Sequence, residues 1–189
     1  MNSPVSPPAS HPAPRTLSAV LTPLEYRADT DVLSPLFRGG ATRCPLAPGV
    51  FLRRDAAGQI SGHWHSPQGR LLELSAEITV PGQWLALHLE IALPDLTGIS
   101  WLGFVARSTA SPTAAIRACL RSGTKGGYHD CFFDRHILAQ SRESDHQDLI
   151  APARRTDLPV QAPWREFILF LPPARSFHWV LHDLRVFTL

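Results

Sequence analysis

The sequence has few cysteines and lacks the cysteine motifs of redox proteins and zinc ribbons. Its 189 residues include three cysteines, Cys44, Cys119 and Cys131, with no Cys-x-x-Cys spacing, which argues against a disulfide framework or a zinc ribbon. Cys119 and Cys131 would be neighbours if they lay on paired strands. We nevertheless expect free thiols in a reducing compartment, and therefore a cytoplasmic protein.

Positive and negative charges nearly balance, since the formal net charge is only +2. Lys125 is the only lysine. This charge gives no reason to expect nucleic acid or an anionic membrane as a partner. No uncharged apolar run approaches the roughly 18 residues that cross a bilayer. The first residues, MNSPVSPPASHPAPR, lack the apolar core of a secretory signal. Glycine-rich nucleotide-binding motifs and a Gly-x-Ser-x-Gly nucleophile are absent as well.

Proline is concentrated at the N-terminus, where residues 1–15 combine it with serine and alanine. Such a segment buries little surface and predicts a disordered tail. Hydrophobic residues make up 44% of the chain, enough for a sizeable core. We therefore expect one domain over residues 16–189.

Short apolar runs separated by glycine and proline turns predict β-strands throughout this domain. The predicted strands are Thr16–Leu21, Gly49–Arg53, Gln59–His65, Arg70–Val80, Trp84–Leu93, Ser100–Ser108, Ala114–Arg121, Tyr128–Leu138, Trp164–Leu171 and Phe177–Phe187. Residues Ala139–Asp148, the one polar run that would tolerate a helix, are interpreted as a long loop.

Alternation supports strands over helices. In the last segment, strict alternation places Phe177, Trp179, Leu181, Asp183, Arg185 and Phe187 on one face. The spacing and number of the predicted strands favour an all-β fold, a jelly-roll-type antiparallel β-sandwich of about 8–10 strands. A closed up-and-down barrel is the alternative.

Two histidines, His63 and His65, flank Trp64 and would point to the same face of a strand, an arrangement that metal-binding jelly rolls use. They are the candidate ligands of a divalent metal. The cupin family, however, needs a glutamate three or four residues further on, where this chain has Gln68, Gly69 and Arg70, and Glu73 is too far along. We therefore expect no obligatory cofactor.

The most distinctive stretch runs from Gly126 to His136. Alternation places Tyr128, Asp130, Phe132, Asp134 and His136 on one face, mixing aromatic rings with carboxylates and imidazole. Saccharide sites favour this mixture, because rings stack on C–H surfaces while polar groups bind hydroxyls. The candidate ligand-binding residues are Tyr128, Asp130, Asp134, His136 and, in the following loop, Arg142. The alternative is a central strand whose phenylalanines are core and whose aspartates bind loop amides or pair with Arg117 and Arg121.

The closing segments, Trp164–Leu171, a Pro-Pro turn and Phe177–Phe187, resemble the C-terminal hairpin of galactose-binding-like and carbohydrate-binding-module jelly rolls. The resemblance implies a non-catalytic β-sandwich that binds glycans or protein partners, often with a structural calcium. This chain shows no Asp/Asn-rich calcium loop. The resemblance also suggests an accessory role in bacterial surface-polysaccharide assembly.

Three functional hypotheses follow. The first is a lectin-like binding module for a saccharide or saccharide-linked partner. The second is a structural or assembly protein that uses the apolar faces of Trp164–Leu171 and Phe177–Phe187 as an oligomer interface. The third is a metal- or carboxylate-dependent enzyme, in which His63 and His65 converge with His88 or Glu73.

Overall fold

The computed structural model describes residues 15–16 and 30–189, and the regular structure of this part is almost entirely β-strand. Residues 1–14 of the predicted tail and residues 17–21 of the predicted first strand lie outside the described residues. The strands are β1 (Arg15–Thr16), β2 (Thr30–Pro35), β3 (Arg43–Ala47), β4 (Val50–Arg54), β5 (Gln59–Ser66), β6 (Leu72–Val80), β7 (Leu85–Ile91), β8 (Leu102–Ser111), β9 (Ala114–Thr124), β10 (Gly127–Ala139), β11 (Ser144–Ile150), β12 (Arg165–Leu171) and β13 (Phe177–Thr188).

These strands form two antiparallel sheets. The seven-stranded sheet has the order β11-β8-β13-β6-β5-β2, and β1 pairs with the end of β13. The six-stranded sheet has the order β10-β9-β12-β7-β4-β3. The two sheets form a sandwich, as predicted, and not a closed barrel. No helix in the described part of the chain is long and apolar enough to span a membrane.

The core lies between the sheets, because each strand turns one set of alternate side chains inward. On β12 these are Phe167, Leu169 and Leu171, all buried. The Phe167 ring meets Phe104 of the other sheet at 5.4 Å between centroids. Trp179 of β13 is 1% exposed. The apolar residues that suggested an oligomer interface therefore lie mostly within the core.

The sequence analysis did not predict three of the strands, namely β2, β3 and β11. β11 begins at Ser144, so the predicted loop Ala139–Asp148 is wrong over its second half. This strand is polar because it is a sheet edge that pairs only with β8 and has little apolar surface to bury.

Two of the register shifts bear on the predicted side-chain faces. In β13 the register changes between Leu181 and Asp183, so Leu184 and Val186 face the core. The predicted shared face of Phe177, Trp179 and Leu181 with Asp183 is therefore wrong beyond Leu181, because one extra residue reverses every side chain after it. A second bulge lies in β10 between Phe132 and His136.

All three cysteines are buried and free. Cys119 and Cys131 do lie on paired strands, but Cys119 is opposite Phe132 and Cys131 is opposite Leu120. They are thus one position out of register, and their side chains leave opposite faces of the sheet. Burial raises the pKa of Cys131 to about 12, which keeps the thiol protonated.

Candidate functional site

The surface that concentrates aromatic and charged side chains is the outer face of the six-stranded sheet, which we call the platform. It consists of the side chains that point away from the core. Across the sheet they are Tyr128, Asp130, Phe132, Arg117, Arg121, Glu166, Phe170, His88, Glu90, Phe51, Arg53 and Arg43. Their inward-facing neighbours, such as Leu120, Leu169 and Leu87, belong to the core.

Two exposed aromatic rings lie at one end of the platform. Tyr128 is 54% exposed and Trp164 is 43% exposed. Gly123, on β9, is opposite Tyr128 in the register, and a Cβ added to Gly123 would clash with the Trp164 indole. The glycine thus leaves room for the indole against the outer face of β9, at the end of the sheet where Tyr128 lies.

A bidentate ion pair lies next to these rings. Arg121 Nε and Nη2 each donate to a carboxylate oxygen of Asp130 at 2.7 Å. The guanidinium carbon of Arg121 is 3.9 Å from the centre of the Tyr128 ring. Burial alone would lower the pKa of Arg121, but the hydrogen bond and charge of Asp130 raise it. The two hydrogen bonds therefore fix Arg121 relative to Asp130, and the guanidinium in turn covers one face of the Tyr128 ring.

The middle of the platform is apolar. Phe132 and Phe170 pack over the buried side chains of Ala86, Cys119 and Ile168, with 5.6 Å between the ring centroids. These two rings are half-buried, and the guanidinium of Arg117 lies over the Phe132 ring at 3.9 Å from its centre.

A histidine lies beneath the far side of the platform. His88 is 2% exposed, its Nδ1 is 2.8 Å from Glu166 Oε2, and its ring stacks on Phe51 at 5.0 Å. Within the described part of the chain, His88 Nε2 has no hydrogen-bond partner. The guanidinium of Arg43 covers the Phe51 ring at 4.0 Å.

The candidate saccharide residues divide between the platform and the sheet edge. Tyr128 and Asp130 lie on the platform, and His136 is opposite Arg117 in the register. Asp134 lies in the β10 bulge and forms an ion pair with Arg155 at 3.1 Å, apart from Asp130.

Arg142 is exposed in the turn between β10 and β11. The predicted face of Tyr128, Asp130 and Phe132 therefore resumes at His136, because β10 has two extra residues between Phe132 and His136 and an even number preserves the alternation.

The candidate metal ligands lie on the opposite side of the sandwich. His65 of β5 is directly opposite Glu73 of β6, with His65 Nε2 3.2 Å from Glu73 Oε2. Glu73, expected to be too distant, therefore contacts His65, while His63 is opposite Ser75. His88 belongs to the other sheet and does not join His63 and His65, whereas Glu73, the alternative partner in the enzyme hypothesis, contacts His65.

Glu73 is surrounded by cationic groups. Arg70 donates to it at 2.8 Å, and His178 Nε2 lies 3.2 Å from its other oxygen. Burial favours the protonated acid, but the Arg70 hydrogen bond and the charges of Arg70, His65 and His178 together lower the pKa of Glu73. Among the residues described, no cluster of histidine, cysteine or carboxylate side chains is arranged to hold a metal ion.

Sequence reasoning overlooked most of the platform. Phe51, His88, Glu166 and Phe170 lie on three strands that are distant in sequence, and only the sheet register makes them neighbours. The signal that was available was the alternation of β12, in which Glu166, Ile168 and Phe170 share one face. The sequence does not show which strands flank β12, so this face could not be distinguished from an ordinary solvent-exposed face.

Sequence comparison finds no matching family model and no similar curated protein. Comparison of structures does find similar proteins. CBM4, a carbohydrate-binding module, aligns with a TM-score of 0.50 and 14% identity over 75% of this chain and 96% of its own. This likeness shows that the chain has the jelly-roll sandwich fold of carbohydrate-binding modules.

Two further similar structures are also carbohydrate-binding modules. The family 11 module from Clostridium thermocellum, in complex with a β-1,3-1,4-mixed-linked tetrasaccharide, has a TM-score of 0.48 and 14% identity over 77% of this chain and 94% of its own. The CBM22-1 xylan-binding domain from Paenibacillus barcinonensis Xyn10C has a TM-score of 0.46 and 13% identity over 87% and 90%.

Proposed function

We propose that this protein is a non-catalytic saccharide-binding module whose ligand lies across the platform. The observation that carries the proposal is the pair of exposed rings, Tyr128 and Trp164, beside the Arg121–Asp130 ion pair. Aromatic faces stack on the C–H surfaces of sugar rings, and ionised side chains bind the hydroxyls around them.

The shape and the chemistry of the platform support binding over catalysis. The platform is an open sheet surface and not a closed pocket, so it suits a chain that passes over it. Asp130 is held in a bidentate pair with Arg121, and Asp134 is paired with Arg155. Both carboxylates are thus already engaged by guanidinium groups, and neither is placed as the free pair of acids that glycoside hydrolysis uses.

The test is a binding measurement on a panel of polysaccharides by affinity electrophoresis and calorimetry. Loss of one stacking ring costs about 1–3 kcal/mol for a ring–ring contact, and we expect Trp164→Ala and Tyr128→Ala each to weaken binding roughly tenfold or more. Trp101→Ala is the matched control, because Trp101 is 41% exposed but lies outside the platform, next to the seven-stranded sheet.

Equal losses from Trp101→Ala and Trp164→Ala would contradict a specific platform. Absence of binding to any saccharide would overturn the proposed function and direct attention to protein partners and to the oligomeric state. We further propose a cytoplasmic location, which the free, buried cysteines support, and an accessory role in bacterial surface-polysaccharide assembly, which rests on the analogy of the fold. Capture of assembly components by the tagged protein from a bacterial lysate, lost on Trp164→Ala, would test that role.

A further inference from the structure

The charged residues of the platform are sorted into two rows that run across the strands. One row contains the carboxylates Asp130, Glu166 and Glu90, with Arg121 between Asp130 and Glu166. The other row contains Arg117, which is opposite Phe170, and then Arg53 and Arg43, which face each other on β4 and β3. Phe170 of β12 and Ala86 of β7 lie between Arg117 and Arg53 in this row.

The carboxylates of the first row are already partnered in part, whereas the arginines of the second row are not. Asp130 is bound by Arg121, and Glu166 by His88. Across the described ranges 15–16 and 30–189, Arg43, Arg53 and Arg117 form no ion pair with a carboxylate. The platform therefore carries three exposed guanidinium groups without a counter-charge of their own.

Two of these guanidinium groups are held in place by aromatic rings. Arg117 lies 3.9 Å from the centre of the Phe132 ring, and Arg43 lies 4.0 Å from that of Phe51. Stacking restrains the long side chain but leaves the in-plane N–H groups free to donate. A guanidinium held in this way is prepared to bind a carboxylate through two parallel hydrogen bonds.

The spacing fits anions that repeat along a chain. Arg43 and Arg53 are on adjacent strands, whereas Arg117 is three strands from Arg53, about 14 Å at the usual strand separation. One small anion cannot reach both positions. A polymer that crosses the strands can place one acidic group at each end of the row and an uncharged sugar face on Phe170 between them.

The acidic row favours a saccharide over a nucleic acid. A nucleic acid carries one phosphate per nucleotide, and a strand on the platform would bring phosphates against Glu90 and Glu166. An acidic saccharide has hydroxyl groups that donate to such carboxylates, together with carboxylates that accept from the arginines. The protein as a whole also has a net charge of only +2.

We propose that the ligand of the platform is an acidic, carboxylate-bearing saccharide, with Arg117, Arg53 and Arg43 as its specificity determinants. This inference rests on the proposed function and adds the chemical class of the ligand. It predicts a preference for uronic-acid polymers over neutral ones, and binding that weakens as salt is added.

The experiment uses the full chain and three acidic polymers, polygalacturonate, alginate and hyaluronate, each beside its carboxyl methyl ester. Mixed-linked β-glucan and xylan are the neutral probes, and a single-stranded oligothymidylate is the nucleic-acid probe. Esterification removes the charge that assists each hydrogen bond from a guanidinium, so we expect it to weaken binding about tenfold or more. Arg53→Gln and Arg117→Gln should each produce a similar loss.

Arg185→Gln is the matched control, because Arg185 is exposed on the seven-stranded sheet, away from the platform. It should bind all probes as the unaltered chain does. Equal affinity for acid, ester and neutral polymers, unchanged in Arg53→Gln, would overturn the acidic preference while leaving the saccharide-binding function in place. Lack of binding to every polysaccharide would overturn both. Binding to oligothymidylate alone would replace the saccharide by a nucleic acid.

Discussion

The buried arginine at the start of β12 offers a sharp test of how the platform is held in place. Arg165 is 1% exposed, and its guanidinium donates to four acceptors. These are Leu93 O at 2.7 Å, Pro159 O at 2.6 Å, Val160 O at 3.0 Å and the hydroxyl of Ser122. The arginine thus ties the segment after β7 and the segment before β12 to β9, next to Trp164.

We expect Arg165→Met to destabilise the protein substantially. Leaving an acceptor without its donor costs about 1 kcal/mol or more, so the four acceptors account for about 4 kcal/mol. Removing the buried charge returns part of this, because burial of Arg165 is itself unfavourable and lowers its pKa. The net loss in the free energy of unfolding should be about 2–4 kcal/mol, which moves a urea midpoint by about 1–2 M.

The assay is urea unfolding followed by tryptophan fluorescence, with saccharide binding measured in parallel. Arg185→Met, at an exposed position, is the control and should stay within about 0.5 kcal/mol of the unaltered chain. We also expect the methionine variant to bind saccharide more weakly, because Trp164 loses its support. If the urea midpoint of Arg165→Met equals that of the control within error, the reasoning is refuted. The four hydrogen bonds of Arg165 would then only offset the cost of burying its charge.

Three further predictions follow from single contacts. Gly123→Val should displace the Trp164 indole and weaken saccharide binding more than tenfold, as measured by calorimetry. Ellman's reagent should leave all three thiols unmodified at pH 8, because burial raises the pKa of Cys131 to about 12 and shields the others. Glu73 should stabilise the fold above its unfolded pKa of 4.5 and lose that effect as the pH falls through its lower folded pKa, a dependence that Glu73→Gln should flatten in acid urea titrations.

Each of these has an outcome that would count against it. Gly126→Val, at a glycine with no atom within 4 Å of its Cβ and no positive φ, is the control, and an equal loss of binding from it would contradict the role of Gly123. Rapid reaction of any thiol in the folded protein would show that the sheet opens locally. An unchanged acid dependence in Glu73→Gln would mean that the cations around Glu73 act equally in the unfolded chain.

The fold class was accessible from the sequence because it depends on short-range patterns. Alternation along β6 and β12, and turn residues such as those at Pro172 and Pro173, specify strands whichever neighbours they acquire. The edge strand β11 was missed because a strand with one neighbour and one open side needs few apolar residues. The bulges in β10 and β13 were missed because unbroken alternation was assumed, and the place of an extra residue depends on the pairing with the neighbouring strand.

The sequence alone therefore determined an all-β chain, and it pointed to Tyr128 and Asp130 as candidates for the surface. Only the tertiary structure decided which residues accompany them. Trp164, Arg117 and Arg53 come from three separate strands or strand ends, and they share a face because those strands are ordered side by side in one sheet. Strand order is set by the packing of whole sheets against each other, which is a long-range property that no local window of sequence contains.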